Sequence, residues 1–443
     1  MLKSRTFDYL GLLSSLIAFL LFCYSFPTNF LYSAINISVG IVCLVLFFLS
    51  GRKPFDLQQV FYLANFVFLV LAARMEKSLN ILYWGSSPSV LWNYDDMGLI
   101  SLIAILSFFL TYQIGLKIKL PLNHFRLKNE NVSLSGLSLI SLSLISVFII
   151  YQYNSWNIES VFFRGGAENS RQVTSQIYWL IYQMFIFPIP SICLVIYFLN
   201  GQRSLVTISV LLLLFLLGNP LTGMARWQAA MLYGAVCLTG LPFLFNKRLL
   251  FSLSLFFGLF LIFPLLDAFR RFSGQLSLRL NPDWLFHGHL DSAQSFARAI
   301  DIEFVTFGWQ LLGAVLFFIP RGWWPEKPVG SGHEIAEILN LTLLNTSLHI
   351  FGEGYVNFGF FGVILFSIVI GIIFGMIDRR AWNTIERGYL LISAYPFLVG
   401  WVFFFVRGDL LSSFAYLMGT LASIFFVQKA SFYFSRFRLF RGS

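Results

Sequence analysis

Apolar runs close to the ~20 residues that a helix needs to cross a bilayer recur along the whole of this 443-residue chain. Polar punctuation such as Pro27-Thr28-Asn29, Gly51-Arg52-Lys53 and Asn246-Lys247-Arg248 separates them. Spans are expected near 10–26, 30–50, 58–73, 97–116, 133–151, 177–199, 204–218, 227–246, 249–266, 353–377, 388–406 and 410–427. Only 11% of the residues are charged, against about 25% in soluble domains, so most of the folded surface has to face lipid. The expected fold class is an all-α polytopic membrane protein of about 12 transmembrane helices, with residues 1–443 forming a single integral membrane domain. The basic start Met1–Arg5 leads into the first span without a small-residue cleavage site, so no cleavable signal peptide is expected. Cys23, Cys43, Cys193 and Cys237 all fall inside apolar runs, which argues against a disulfide framework and against a thiolate metal site.

A formal charge of +10 could suit nucleic acid, but its distribution favours membrane topology. With the N-terminus in the cytoplasm, the cytoplasmic loops collect 18 of the 30 basic residues and five of the 20 acids. That is the asymmetry of the positive-inside rule, and it puts both termini in the cytoplasm. The outer bases are nearly all arginine: Arg74, Arg164, Arg171, Arg226, Arg270, Arg271, Arg279, Arg298, Arg321 and Arg407, with only Lys77 and Lys327 besides. Lysine serves topology equally well, so the bias points to the guanidinium fork, which grips phosphate bidentately and stays charged.

Residues 267–352 form one long extracytoplasmic loop, far longer than an ordinary connection and rich in tryptophan. Phe296, Ile300, Phe304 and Gly308 fall at helical spacing, so a helix lying on the membrane surface is expected there. Leu311–Ile319 is too short to span and ends at Pro320, which suits a dipping or surface segment. His287-Gly288-His289-Leu290-Asp291 lacks zinc-ligand spacing and reads as a polar turn.

The end of this loop carries the most informative stretch. It reads Pro320-Arg321-Gly322-Trp323-Trp324-Pro325-Glu326-Lys327-Pro328, then Gly330-Ser331-Gly332-His333-Glu334. Gly352-Glu353-Gly354-Tyr355-Val356-Asn357-Phe358-Gly359-Phe360-Phe361-Gly362 follows at the start of a span. Gly223-Met224-Ala225-Arg226 and Phe405-Val406-Arg407-Gly408-Asp409 lie at span mouths. In order and sidedness, over about residues 218–427, these stretches resemble the bacterial Wzy-type polymerases of O-antigen and capsule repeat units. The resemblance implies a glycosyltransferase C-like fold at the bacterial inner membrane, with the active site facing the periplasm. It implies undecaprenyl-pyrophosphate-linked oligosaccharides as substrates and a chain-length-regulating co-polymerase as partner. Neither a cofactor nor a metal is implied.

Without a metal, a pyrophosphate leaving group needs preorganised cations. Arg226 and Arg407 are the first candidates, each at a span mouth, followed by Arg270, Arg271 and Arg321. A general base for the acceptor hydroxyl is sought among Glu353, His349 and His333, with Glu334 and Asp301 behind them. Glu353 would serve equally well as a favourable acid at a helix N-terminus. Trp323, Trp324, Lys327, Tyr355 and Asn357 are candidates to contact glycan, although interface anchoring is the commoner role of such tryptophans. Two rival functions share this sequence pattern. A ligase that moves finished glycan to a lipid core has the same topology and outer arginines. A transporter would use ionisable residues at mid-membrane, where these spans carry none, but the interrupted Phe187-Pro188-Ile189-Pro190 keeps it open.

Overall fold

The structure is a computed structural model that describes all residues except 1, 52, 86–92, 119–134, 164–175, 242, 244–246, 267–289, 384–389 and 442–443. The described residues form helices and no strand. In chain order the main helices are α1 (Leu2–Ser25), α2 (Phe30–Leu49), α3 (Leu57–Leu79), α4 (Tyr94–Gly115) and α5 (Gly136–Tyr153). Next come α6 (Tyr178–Leu199), α7 (Leu205–Gly218), α8 (Arg226–Gly240), α9 (Arg248–Ile262) and α10 (Ser292–Asp301). The last five are α11 (Trp309–Val315), α12 (Ser331–Ile338), α13 (Ile350–Asn383), α14 (Leu390–Arg407) and α15 (Leu410–Arg441). Eight of these, α1 to α6 with α13 and α15, are long and apolar enough to cross a membrane. The other four expected spans are shorter helices: α7, α9 and α14, which are apolar over 10–17 residues, and α8, which has 15 residues.

The chain divides into two compact units. The first comprises residues 1–120, 282–380 and 402–415. Its centre is α3, buried along almost its whole length. Phe61 of α3 stacks on Phe108 of α4 at 4.0 Å and meets Phe351 and Phe374 of α13 edge-on. Helices α4 and α13 approach until their backbones touch. A Cβ at Gly371 would stand 2.7 Å from the Phe108 carbonyl, and one at Gly375 2.4 Å from the Tyr112 carbonyl. In lipid, where apolar burial gives no advantage over the solvent, close packing of small residues four apart is what joins helices. At one end of this trio the buried Asp378 accepts the Leu57 N–H and the Tyr112 hydroxyl, the latter at 2.7 Å.

The second unit comprises residues 121–281, 381–401 and 416–443. Here Pro188 and Pro190 interrupt α6, and the turns before them, Ile181–Ile186, widen into a π-helical stretch. Proline supplies no N–H, so carbonyls of the preceding turn lose their helical partners. Three carbonyls around the break accept side chains: Ser423 donates to that of Phe185, Ser146 to that of Ile186 and Asn219 to that of Phe187. The break is therefore satisfied from within the unit, as lipid requires.

Candidate active site in the first unit

The Gly352–Gly362 stretch, legible in sequence as a span opening, folds as a helix, a break and a second helix. Phe358 (φ −146°) and Gly359 (φ +63°, ψ −155°) interrupt α13. Gly359 lies in a backbone region that residues with a Cβ scarcely enter. The carbonyls left open at the break accept from the preceding loop: Val356 from the Thr306 N–H and Asn357 from the Gly308 N–H. Gly354 and Gly362 close the bend, since a Cβ on Gly362 would stand 2.0 Å from the Gly354 carbonyl oxygen.

This geometry assigns several predicted site residues to the fold. Asn357 is fully buried, its amide donating to the Glu353 carbonyl and accepting the Leu311 N–H at 2.7 Å. Glu353 is also fully buried; Oε2 accepts from the Ser331 hydroxyl at 2.7 Å and Oε1 from the Leu410 N–H at 2.8 Å. Its carboxyl group thus faces the N-terminus of α15. Asp409 caps the same helix by accepting the Ser412 N–H and hydroxyl, and burial raises its carboxyl above the usual range. His349 precedes α13, and its Nδ1 accepts the Phe351 N–H at 3.1 Å, which is the N-cap role. The ring lies parallel to Phe296, and burial lowers its pKa to about 3. The ring is therefore neutral with its proton on Nε2, an atom without a partner among the described residues. Tyr355 is buried, edge-on to Phe360.

Arg407 is the last residue of α14, three residues before α15 begins. Its guanidinium keeps a quarter of the side-chain surface exposed and reaches Asp291 Oδ1 at 3.4 Å. Asp291 is almost wholly buried. Its other oxygen accepts the Trp84 indole N–H at 3.1 Å and the Ser347 N–H at 3.4 Å. A buried carboxylate held on its far side thus pairs with a partly exposed guanidinium. Below it, Arg298 donates to the Tyr83 carbonyl, Gln294 bridges Tyr83 and Ile81, and the Tyr94 hydroxyl donates to Glu76. Helix α10, which carries Asp291 at its N-cap and Arg298, is buried all round against α3, α4 and α12. Of the four residues at helical spacing, Phe296 and Ile300 lie on this helix, while Phe304 and Gly308 follow its end at Asp301.

His333 is the one proposed base among His333, His349 and Glu353 that is partly exposed; its Nε2 lies 3.1 Å from Glu337. It also lies close enough to Asp409 to favour that carboxylate. Glu334 accepts from Gln310, and burial raises its carboxyl. Asp301 accepts the Asn93 N–H, and burial raises its carboxyl to about 6.

In the proline-rich stretch both cations bond to main-chain carbonyls of the stretch and of the residues just before it. Arg321 donates to the carbonyls of Lys327 and Pro328, and Lys327 to those of Phe317 and Ile319. Desolvation, with Arg321 nearby, lowers the Lys327 pKa. Trp324 meets Trp309 edge-on, while Trp323 is exposed.

Arg226 belongs to the second unit, partly exposed at the first residue of α8. Gly223 before it packs directly on the Val161 carbonyl. Arg270, Arg271 and Arg279, and the histidines of the 287–291 turn, lie outside the described residues. Three of the arginines that the sequence assigns to the outer side, Arg74, Arg298 and Arg321, donate to main-chain carbonyls, which gives part of the arginine bias a structural source. Asp291 and Trp84 were not expected at the site. Their positions 207 residues apart leave no local pattern to read. Compared with family models, with functionally characterised proteins and with solved structures, the chain gives no match.

Proposed function

We propose that this protein is a polymerase of lipid-linked oligosaccharides. It transfers a growing glycan from its undecaprenyl pyrophosphate carrier to the next lipid-linked repeat unit, at the periplasmic face of a bacterial inner membrane. The observation that carries the reading is Arg407: a partly exposed cation at a helix junction, paired with the buried Asp291. Counting α7, α8, α9 and α14 as further crossings would make twelve spans and put both termini on one side, which the charge asymmetry of the loops assigns to the cytoplasm.

In the reaction an acceptor hydroxyl attacks the anomeric carbon of the donor glycan. The bond from that carbon to the pyrophosphate oxygen breaks, and the oxygen leaves with the electron pair. The dianionic leaving group gains charge as it departs, which is where a preorganised guanidinium acts most strongly. Asp291 fixes the guanidinium and so spares its reorganisation during the step. The acceptor proton passes to His333, whose pairing with Glu337 orients the ring. Glu353 and His349 hold the ends of α15 and α13 in place around these groups. A chain-length regulator is the expected partner.

The test is reconstitution in liposomes with a lipid-linked repeat unit and a chelator. A ladder of lengthened lipid-linked glycan is expected, and Arg407→Lys should reduce it about a hundredfold, the usual size of losing one charge-stabilising donor. Transfer only to an added lipid core would establish a ligase instead.

A further inference from the structure

We infer that the segment Phe307–Trp323 is an interfacial insert seated in one leaflet of the bilayer, so that Trp323 contacts lipid rather than sugar. Three observations converge on it.

The first is depth. Thr306, Gly308 and Leu311 hydrogen-bond to the Val356 and Asn357 groups at the break in α13. The unbroken remainder of that helix, 360–382, is about 34 Å long at 1.5 Å per residue, enough for the ~30 Å hydrocarbon core. The break, and the segment bonded to it, therefore lie at the edge of the hydrocarbon.

The second is the outward surface. Phe307 is 87% exposed, Phe318 64% and Trp323 85%, with Trp309 partly exposed between them. Phe361, the exposed residue just beyond the break, is 69% exposed on the span itself. The patch therefore continues the lipid-facing side of a membrane helix, and its Phe and Trp are the side chains that settle at a membrane interface.

The third is the backbone. Irregular chain at membrane depth survives only if its polar groups are satisfied by protein. Here Leu312, Leu316, Pro320 and Trp324 carbonyls accept main-chain N–H groups. Those of Phe317 and Ile319 accept the Lys327 ammonium, and those of Lys327 and Pro328 the Arg321 guanidinium. Arg321 and Lys327, read in sequence as a phosphate ligand and a glycan contact, thus serve to close the backbone of the insert.

Spin-label accessibility in proteoliposomes tests this without any assay of activity, so it stands or fails apart from the polymerase reading. Phe307→Cys, Phe318→Cys and Trp323→Cys are labelled singly in a Cys237→Ser background, with Glu337→Cys as the aqueous reference. Each label is broadened by oxygen, which concentrates in lipid, and by a water-soluble nickel chelate. The ratio of oxygen to nickel broadening should exceed one at all three positions and fall below one at 337. Nickel broadening at 318 and 323 equal to that at 337 would overturn the inference. In that event, protection of 323 by added lipid-linked oligosaccharide would mark a sugar contact, and its absence a surface left in water.

Discussion

Asp291 is the residue on which the site turns, because it converts a mobile arginine into an oriented one. Asp291→Asn retains both acceptor contacts through one oxygen at most and removes the charge facing Arg407. Glycan output should fall at least tenfold, largely in turnover, while Asp291→Glu recovers part of it; this is read by comparing initial rates across substrate concentrations. Glu353→Gln can still accept from Leu410 and donate to Ser331, so folded protein and most activity are expected. Glu353→Ala strands two buried groups and should lose about 2–4 kcal/mol of stability, measurable as a drop in melting temperature. His349 gives a pH signature. Its folded pKa of about 3 lies below the unfolded value, so the unfolded chain binds the extra proton between those values. Its contribution is complete above about pH 6.5 and declines on acidification, by ~2 kcal/mol at pH 5. His349→Asn keeps a capping acceptor and should flatten that slope relative to the parent protein. Arg407 and Glu353 could be picked out in the sequence because each stands beside glycine at a span mouth. Asp291, Trp84 and Ser347 could not, since three distant segments bring them together.

Among the helices, span positions were the most legible feature, since a continuous apolar run of bilayer length has few other folds open to it. What the runs concealed was the break in α13, where a satisfied interruption is as apolar as a helix. Gly359→Ala forces a Cβ into the φ +63° conformation and should cost about 1–3 kcal/mol. Gly362→Ala should cost more, because the Gly354 backbone has to move. Thermal unfolding in detergent ranks the two. Helix α10 shows the opposite difficulty: its period was legible, but not the burial of its charged Arg298. The carbonyl of Tyr83 and the neighbouring Glu76 and Asp291 let that charge lie inside.

For the whole molecule, the arrangement of charge predicts that the turn at Arg203, between α6 and α7, faces the cytoplasm, and that Thr222, before α8, faces the periplasm. Cysteines placed at 203 and 222 should differ accordingly in labelling by an impermeant maleimide on intact cells. The proposed chemistry forms a bond at the outer face and releases the carrier as each unit is added. The most direct check is to mix proteoliposomes with a lipid-linked repeat unit labelled in both glycan and carrier, and to count free undecaprenyl pyrophosphate against new glycosidic bonds. One carrier released per bond formed, lost in Arg407→Lys, is the expected result. Glycan crossing the bilayer with its carrier still attached, and no new bond, would contradict it and leave a transporter.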